Sequence, residues 1–86
     1  MLIRYFGAAK AAVGLNEETL DHGSLALEEL LDKLAARHPE PPAGVPSLKS
    51  VIGRSTFLVN ETAVRDRTRV LAADDVVDIL PPFAGG

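Results

Sequence analysis

The sequence of 86 residues lacks cysteine and tryptophan entirely. Without cysteine the chain cannot form a disulfide, attack a substrate with a thiolate or bind zinc through sulfur. Its two histidines, His22 and His38, lie in different segments, and neither has a second ligand at the spacing of a metal motif. We therefore expect no metal site and no bound cofactor, and we interpret both histidines as solvated surface residues or helix caps.

The chain also lacks an excess of positive charge and a long apolar run. Its formal net charge of −3 gives no electrostatic basis for general nucleic-acid binding. No apolar run approaches the roughly 20 residues that a membrane helix needs, and the first residues do not have the layout of a signal peptide. The sequence therefore predicts a cytoplasmic protein that binds neither nucleic acid nor membrane.

The residues that are present predict one small folded domain. Apolar residues make up 47% of the chain, which is typical of a globular protein, but only four residues are aromatic. The core must therefore consist mainly of Leu, Val, Ile and Ala.

An amphipathic helix is the clearest predicted element. Ser24 is suited to be its N-cap, leucines recur at intervals of three and four residues, and Pro39 ends it. Runs of β-forming residues predict strands on both sides of this helix. The predicted strands are residues 2–6, 16–22, 56–60, 63–65 and 76–80, with a short helix at 7–14, a proline-rich loop at 39–47 and a turn at 72–75.

One main helix beside a mixed sheet is an α+β arrangement. Because the helix follows an N-terminal strand pair, we predict a β-grasp fold for residues 1–80 and a flexible tail for residues 81–86. As in any strand, successive side chains point to opposite faces of the sheet. The set expected to face the main helix comprises Ile3, Tyr5, Val77 and Ile79.

The opposite side of the sheet, which we call the open face, has no second long helix to cover it. Phe6, Val76 and Leu80 form an apolar patch there, and such patches usually mark a partner. The alternative is that long loops cover it. If the first and last strands pair, Arg4 and Asp78 lie together on this open face and form an ion pair.

No constellation of a free-standing enzyme is visible in the chain. Arg65, Arg67 and Arg69 alternate as a basic stripe. Protection of an edge strand against unwanted pairing explains this stripe, and contact with an acidic partner is the alternative.

The last residues, "DILPPFAGG", carry the strongest functional signal. Pro81 and Pro82 stiffen the chain and keep it from rejoining the sheet. The six residues from Pro81 extend about 20 Å when stretched, and the absence of side chains lets Gly85 and Gly86 enter a narrow channel. A terminal carboxylate is a poor electrophile and needs activation, for instance as an acyl-adenylate formed by an ATP-using enzyme. The alternative is a frayed end without function.

Three segments, "LPPFAGG", "FLVNETAV" and "RYFGAAKAAVG", resemble the MoaD family, the small subunits of molybdopterin synthase. The likeness covers almost the whole chain, and the N-terminal segment resembles this family more than the thiamin sulfur carrier ThiS. The resemblance implies a ubiquitin-like sulfur carrier that is not catalytic by itself. An ATP-dependent adenylating enzyme and a sulfurtransferase would convert Gly86 to a thiocarboxylate.

The resemblance also implies partners and contact residues. Sulfur would pass to cyclic pyranopterin inside the large subunit of molybdopterin synthase, in a heterotetramer. Gly85 would permit entry of the tail, and the residues expected to contact partners are Phe6, Leu80, Pro81, Pro82 and Phe83. Two alternatives stay open, namely a sulfur carrier for cysteine or thiamin synthesis and a ubiquitin-like protein modifier.

Overall fold

The computed structural model describes residues 1–82, in which seven strands and three helices follow one another. In chain order they are β1 (Leu2–Tyr5), α1 (Gly7–Val13), β2 (Glu17–Thr19), β3 (Leu25–Ala26), α2 (Leu27–Arg37), α3 (Leu48–Ile52), β4 (Thr56–Val59), β5 (Thr62–Val64), β6 (Val70–Leu71) and β7 (Val76–Leu80).

The main sheet contains five strands in the order β2-β1-β7-β4-β5. The first and last strands of the chain, β1 and β7, pair in parallel at its centre, and the other neighbours are antiparallel. A separate pair is formed by β3 and β6. A mixed five-stranded sheet with one main helix is an α+β β-grasp fold, which confirms the predicted fold class.

The core lies between the main sheet and the helices. The side chains of β1 and β7 that were expected to face the helix are at most 2% exposed. All four leucines of the predicted helical stripe are buried as well. Complete burial of one such side chain contributes about 1.5–3 kcal/mol. The buried residues in these two sets are Ile3, Tyr5, Val77, Ile79, Leu27, Leu30, Leu31 and Leu34.

The main helix begins later than the sequence predicted, and Ser24 is not its N-cap. The residues after Ser24 form the short strand β3, and α2 starts at Leu27. Two backbone carbonyls from a distant loop bind the free amides of the first turn. The amide of Leu27 donates to the Arg69 carbonyl at 2.9 Å, and that of Glu28 donates to the Arg67 carbonyl at 2.8 Å. A helix end needs such partners, and here tertiary contacts supply them in place of a capping side chain.

A third helix, α3, follows the proline-rich loop and was not predicted. Ser47 caps it, since its Oγ accepts a hydrogen bond from the Ser50 amide at 3.2 Å. The helix has only five residues, too few to display a helical period in the sequence. Its apolar side chains complete the core, and those that are buried are Leu48, Val51 and Ile52.

Left-handed backbone geometry occurs at two connections between elements. Gly14 ends α1 with a φ of 81°, in the left-handed region that glycine adopts without strain. Asn60 and Glu61 connect β4 to β5 with φ values of 49° and 70°, as a two-residue hairpin turn requires. No helix within residues 1–82 combines the length and the apolar character needed to cross a bilayer.

Candidate functional site

An ion pair lies at the centre of the open face. Arg4 on β1 is opposite Asp78 on β7 in the parallel register. Arg4 Nε lies 2.5 Å from Asp78 Oδ1, and Nη2 lies 2.8 Å from Oδ2. The predicted pair is therefore present, and it is bidentate. The carboxylate of Asp78 raises the pKa of Arg4, first through the hydrogen bond and then through its charge.

Asp78 itself is buried, with only 4% of its surface exposed. A buried carboxylate is costly unless it is paired and hydrogen-bonded. Both oxygens of Asp78 have a partner in Arg4, so the centre of the open face carries a compensated charge rather than a free one.

Apolar side chains surround this pair on the open face. Leu2 and Val76 are opposite each other in the register, and Leu58 is opposite Asp78. These three residues and Leu80 are half-buried, whereas Phe6 is 42% exposed. The open face is thus an apolar surface with a neutralised ion pair in its centre, as the strand alternation predicted.

The tail begins at one end of this surface. Leu80 is the last residue of β7, a central strand, and is opposite Thr56 on β4. Pro81 has no N–H for a neighbouring strand, so the pairing of β7 stops there. The backbone of Gly7 passes close by: a Cβ atom on Gly7 would lie 4.0 Å from Pro81 Cγ.

A small groove of about 120 Å³ adjoins the first residues of the tail. Pro81 and Pro82 line it, and Arg54 is the charged residue among the described residues that do so. Pro81 and Pro82 therefore lie near the first turn of α1 and near α3, because Ala8, Ser50 and Val51 line the same groove.

The structure brings together four of the residues that the sequence proposed for partner contacts, namely Phe6, Leu80, Pro81 and Pro82. All four lie on the open face or at the end of the sheet where the tail begins. The other three predicted site residues, Phe83, Gly85 and Gly86, lie outside the described residues.

A partly buried polar cluster around His38 was not predicted from the sequence. His38 is the C-cap of α2, since its amide donates to the Leu34 carbonyl at 3.0 Å, and this confirms the predicted alternative of a helix cap. It is not a solvated surface residue, because only 17% of its side chain is exposed. Its Nε2 lies 2.7 Å from Glu18 Oε2, and Arg37 Nε lies 3.1 Å from Glu18 Oε1. The cluster links β2 to the end of α2, because Glu18 lies on β2 and its two partners lie at the end of the helix. His22, in contrast, is exposed as predicted.

Tyr5 lies beside this cluster. Its ring contacts the His38 ring edge-on, with centroids 6.1 Å apart. The hydroxyl is buried without a hydrogen-bond partner among the described residues. Burial, and then the nearby Glu18 carboxylate, raise the pKa of Tyr5 above its ordinary value, so this hydroxyl stays protonated and acts as a core group rather than as an acid.

The open face and residues 81–82 form the best candidate site, because they combine partly exposed apolar area with the point at which the chain leaves the sheet. Within residues 1–82, no group of three or more His, Cys, Asp or Glu side chains is placed to hold a metal ion. This part of the molecule is suited to binding a protein surface.

Comparisons with known proteins agree with this fold. A model of the ThiS family matches residues 3–86. No curated protein matches the chain.

Three solved structures are similar to the chain over 99% of its length. SAMP1 from Haloferax volcanii has a TM-score of 0.77 at 22% identity, with 97% of that chain covered. A chain in the complex of subunits 1 and 2 of molybdopterin-converting factor from Helicobacter pylori 26695 has a TM-score of 0.66 at 22% identity, with 96% covered. The Haloferax volcanii HVO 2177 protein has a TM-score of 0.69 at 20% identity, with 84% covered. At these identities the likeness shows the fold.

Proposed function

The chain belongs to the ThiS family, and from this premise we propose that it is a sulfur carrier for molybdopterin synthesis. In this proposal Gly86 is the C-terminal residue and carries the sulfur as a thiocarboxylate. The observation that carries the proposal is the apolar open face that adjoins the start of the tail at the end of β7. A carrier needs such an arrangement, because its docking surface must hold the domain while the tail reaches a distant active site.

The open face is suited to a protein interface because its area is apolar and its charged groups neutralise each other. Since Arg4 and Asp78 satisfy each other, a partner can cover them without leaving an isolated charge buried. Phe6 and Leu80 would pack on the partner, followed by Pro81, Pro82 and Phe83 at the mouth of its channel.

The partner that we propose is the large subunit of molybdopterin synthase, in a heterotetramer. One solved chain of the same fold is in a complex of the two subunits of molybdopterin-converting factor, which supports this kind of partner. Pro81 and Pro82 would direct the tail away from the sheet. The six residues from Pro81 would extend about 20 Å, enough to reach a buried site.

The chemistry takes place at Gly86. One oxygen of its carboxylate attacks the α-phosphorus of ATP in an adenylating enzyme and releases pyrophosphate. A hydrosulfide-level sulfur nucleophile supplied by a sulfurtransferase then attacks the acyl carbon, AMP leaves, and Gly86 becomes a thiocarboxylate. In the large subunit the thiocarboxylate sulfur bonds to a carbon of cyclic pyranopterin and displaces an oxygen substituent. Water then cleaves the acyl–sulfur bond, which leaves the sulfur on the pterin and returns Gly86 as a carboxylate. Gly85 keeps the approach to these active sites narrow, since any side chain would widen the tail.

The test is sulfur transfer by the thiocarboxylated chain, mixed with the large subunit of molybdopterin synthase and the pyranopterin precursor. Formation of the dithiolene product is expected, with no product from a chain that lacks Gly86. The truncated chain should keep its thermal midpoint, which separates loss of chemistry from loss of fold. No product from the intact thiocarboxylated chain would overturn the assignment to this pathway.

The same reagents distinguish the alternatives. A thiocarboxylated chain that is active only with the acceptors of cysteine or thiamin synthesis would be a sulfur carrier for another pathway. Bands of higher mass on denaturing gels of cell extract, lost on deletion of Gly86, would instead identify a protein modifier attached to lysine.

A further inference from the structure

The arginines that follow β5 lie beside an outer strand of the sheet. β5 pairs with β4 on one side, and its other edge is the end of the sheet. We propose that this edge binds an extended acidic segment of a partner protein. The segment adds to the sheet as a further strand, and its carboxylates form ion pairs with Arg65 and Arg67.

The backbone of β5 has groups available for such pairing. Val59 and Thr62 flank the two-residue turn, so they form the hydrogen-bonded pair that closes the hairpin. The next pair, Leu58 and Ala63, is then a non-hydrogen-bonded pair. The N–H and C=O of Ala63 therefore point away from β4, toward the position of an added strand.

The second observation is that one arginine is held in place beside this edge. The guanidinium carbon of Arg67 lies 5.2 Å from the centre of the Phe57 ring, within cation–π distance. Its Nη2 donates to the Ile52 carbonyl at 3.4 Å. Together with the exposed Arg65, it lines a groove of about 380 Å³ along the end of the hairpin. The other lining residues are Ser55, Thr56, Phe57, Ala63 and Val64.

The acidic residue between the two arginines is engaged elsewhere. Asp66 Oδ1 accepts hydrogen bonds from the Thr68 amide at 2.9 Å and from the Thr68 hydroxyl at 2.6 Å. These bonds lower the pKa of Asp66, so its ionised carboxylate stabilises the local turn. Across residues 1–82, no carboxylate forms an ion pair with Arg65 or Arg67.

The loop that carries the arginines is also fixed by its backbone, because the Arg67 and Arg69 carbonyls accept the first amides of α2. Together with the contacts of the Arg67 side chain to Phe57 and Ile52, this orders Arg67 before any partner binds. A guanidinium group that is already held in place loses less conformational entropy on binding than a mobile one would.

The charge distribution favours an acidic protein segment over nucleic acid. Residues 54–69 contain four arginines and two acids, although the whole chain has a net charge of −3. The positive charge is therefore local, while the rest of the molecule would repel a long polyanion. A short extended segment with alternating acids fits both the basic stripe and the two-residue period of a strand.

The test uses a synthetic peptide, Asp-Val-Asp-Val-Asp with both ends blocked, and its counterpart with Asn in place of Asp. Amide resonances of the isotope-labelled full chain are followed by NMR during titration. Saturable shifts centred on the Ala63 and Arg65 amides are expected with the Asp peptide. Added salt is expected to weaken this binding. Equal binding of the Asn peptide, or no binding of either peptide at millimolar concentration, would overturn the proposal. The arginines would then serve only to protect the edge strand against unwanted pairing.

Variants separate the contribution of the arginine charge from that of the backbone hydrogen bonds at Ala63. Arg65→Gln is expected to weaken binding of the Asp peptide about two- to fivefold, as loss of one exposed ion pair does. Lys33→Gln removes the same charge from α2 and is expected to leave binding unchanged. Ala63→Pro removes an outward N–H without breaking the β4–β5 ladder, and it is expected to abolish binding while the thermal midpoint stays close to that of the parent.

Three further results would contradict the proposal. These are an Arg65→Gln variant that binds like Lys33→Gln, shifts centred on β2 instead of β5, and the same Ala63 and Arg65 shifts with an oligothymidylate but not with the peptide. The last result would assign the stripe to single-stranded nucleic acid. None of these measurements involves Gly86, so their failure is distinguishable from failure of the sulfur-carrier proposal.

Discussion

Arg4 and Asp78 are 74 residues apart in the chain, yet Arg4 donates two hydrogen bonds to the Asp78 carboxylate across the parallel pair β1 and β7. The two groups are unequal in their surroundings, since 36% of the Arg4 side chain is exposed but only 6% of that of Asp78. Removal of the Arg4 side chain should therefore affect stability differently from removal of the Asp78 side chain.

Arg4→Met is expected to lower the free energy of unfolding more than Asp78→Leu does. The first change leaves a buried carboxylate without its partner, whereas the second leaves a guanidinium that reaches water. The double variant is expected to recover most of the loss, because an apolar pair replaces both charges. Urea unfolding of the three variants measures these differences, and an Asp78→Leu variant less stable than Arg4→Met would contradict the account.

Leu80→Asp is expected to weaken association with the proposed partner, the large subunit of molybdopterin synthase, at least tenfold, about the effect of losing one well-packed interface residue. Val70→Asp is the matched control, since Val70 is 66% exposed on β6, outside the main sheet. Isothermal titration calorimetry gives both dissociation constants. An unchanged affinity for Leu80→Asp would show that the open face is not the docking surface.

Gly7→Ala is expected to destabilise the fold by about 1 kcal/mol, because Gly7 has a φ of 51° that an L side chain rarely adopts. Space is not the obstacle: the added Cβ would be at ordinary contact distance from Pro81. Gly23→Ala is the control, since Gly23 has open space and no left-handed φ. Chemical unfolding of both variants measures the difference, and equal stability would argue against backbone strain at Gly7.

Acid is expected to destabilise the turn before β7. Asp75 Oδ2 accepts the Ala72 amide at 2.8 Å, and Oδ1 accepts from Asn60 Nδ2 at 2.9 Å. These hydrogen bonds, first that of Ala72, lower the pKa of Asp75 in the folded protein. Its contribution is therefore present above the unfolded pKa of about 3.9 and is lost as the pH falls through the lower folded value.

The measurement for this turn is the urea midpoint between pH 5 and pH 2. Asp75→Asn is expected to show a smaller fall than the parent, because the variant has no carboxylate to protonate at this position. Asp74→Asn controls for the loss of one negative charge nearby. A fall in Asp75→Asn as large as in the parent would mean that Asp75 does not contribute to acid sensitivity.

Much of the fold follows from side-chain periodicity in the sequence. The leucines of α2 and the alternation in β1 and β7 predicted which residues are buried. They also placed Arg4 beside Asp78, once the two strands were taken to pair. These features depend on local spacing, which a sequence displays directly.

Features that depend on distant parts of the chain could not be predicted in this way. The start of α2 is set by carbonyls of Arg67 and Arg69, some 40 residues away. The contact between Glu18 and His38 requires both the register of β2 and the end of α2. Strands β3 and β6 have two residues each, too few for alternation to be recognised.

The central claim is that Gly86 carries sulfur, and intact mass spectrometry tests it most directly. The chain would be isolated from cells that lack the pyranopterin acceptor, so that a thiocarboxylate accumulates. We predict a mass higher by the difference between one sulfur and one oxygen atom. A chain without Gly86 should keep its thermal midpoint and never show this increase. An intact chain found only at the mass of its unmodified sequence would contradict the account.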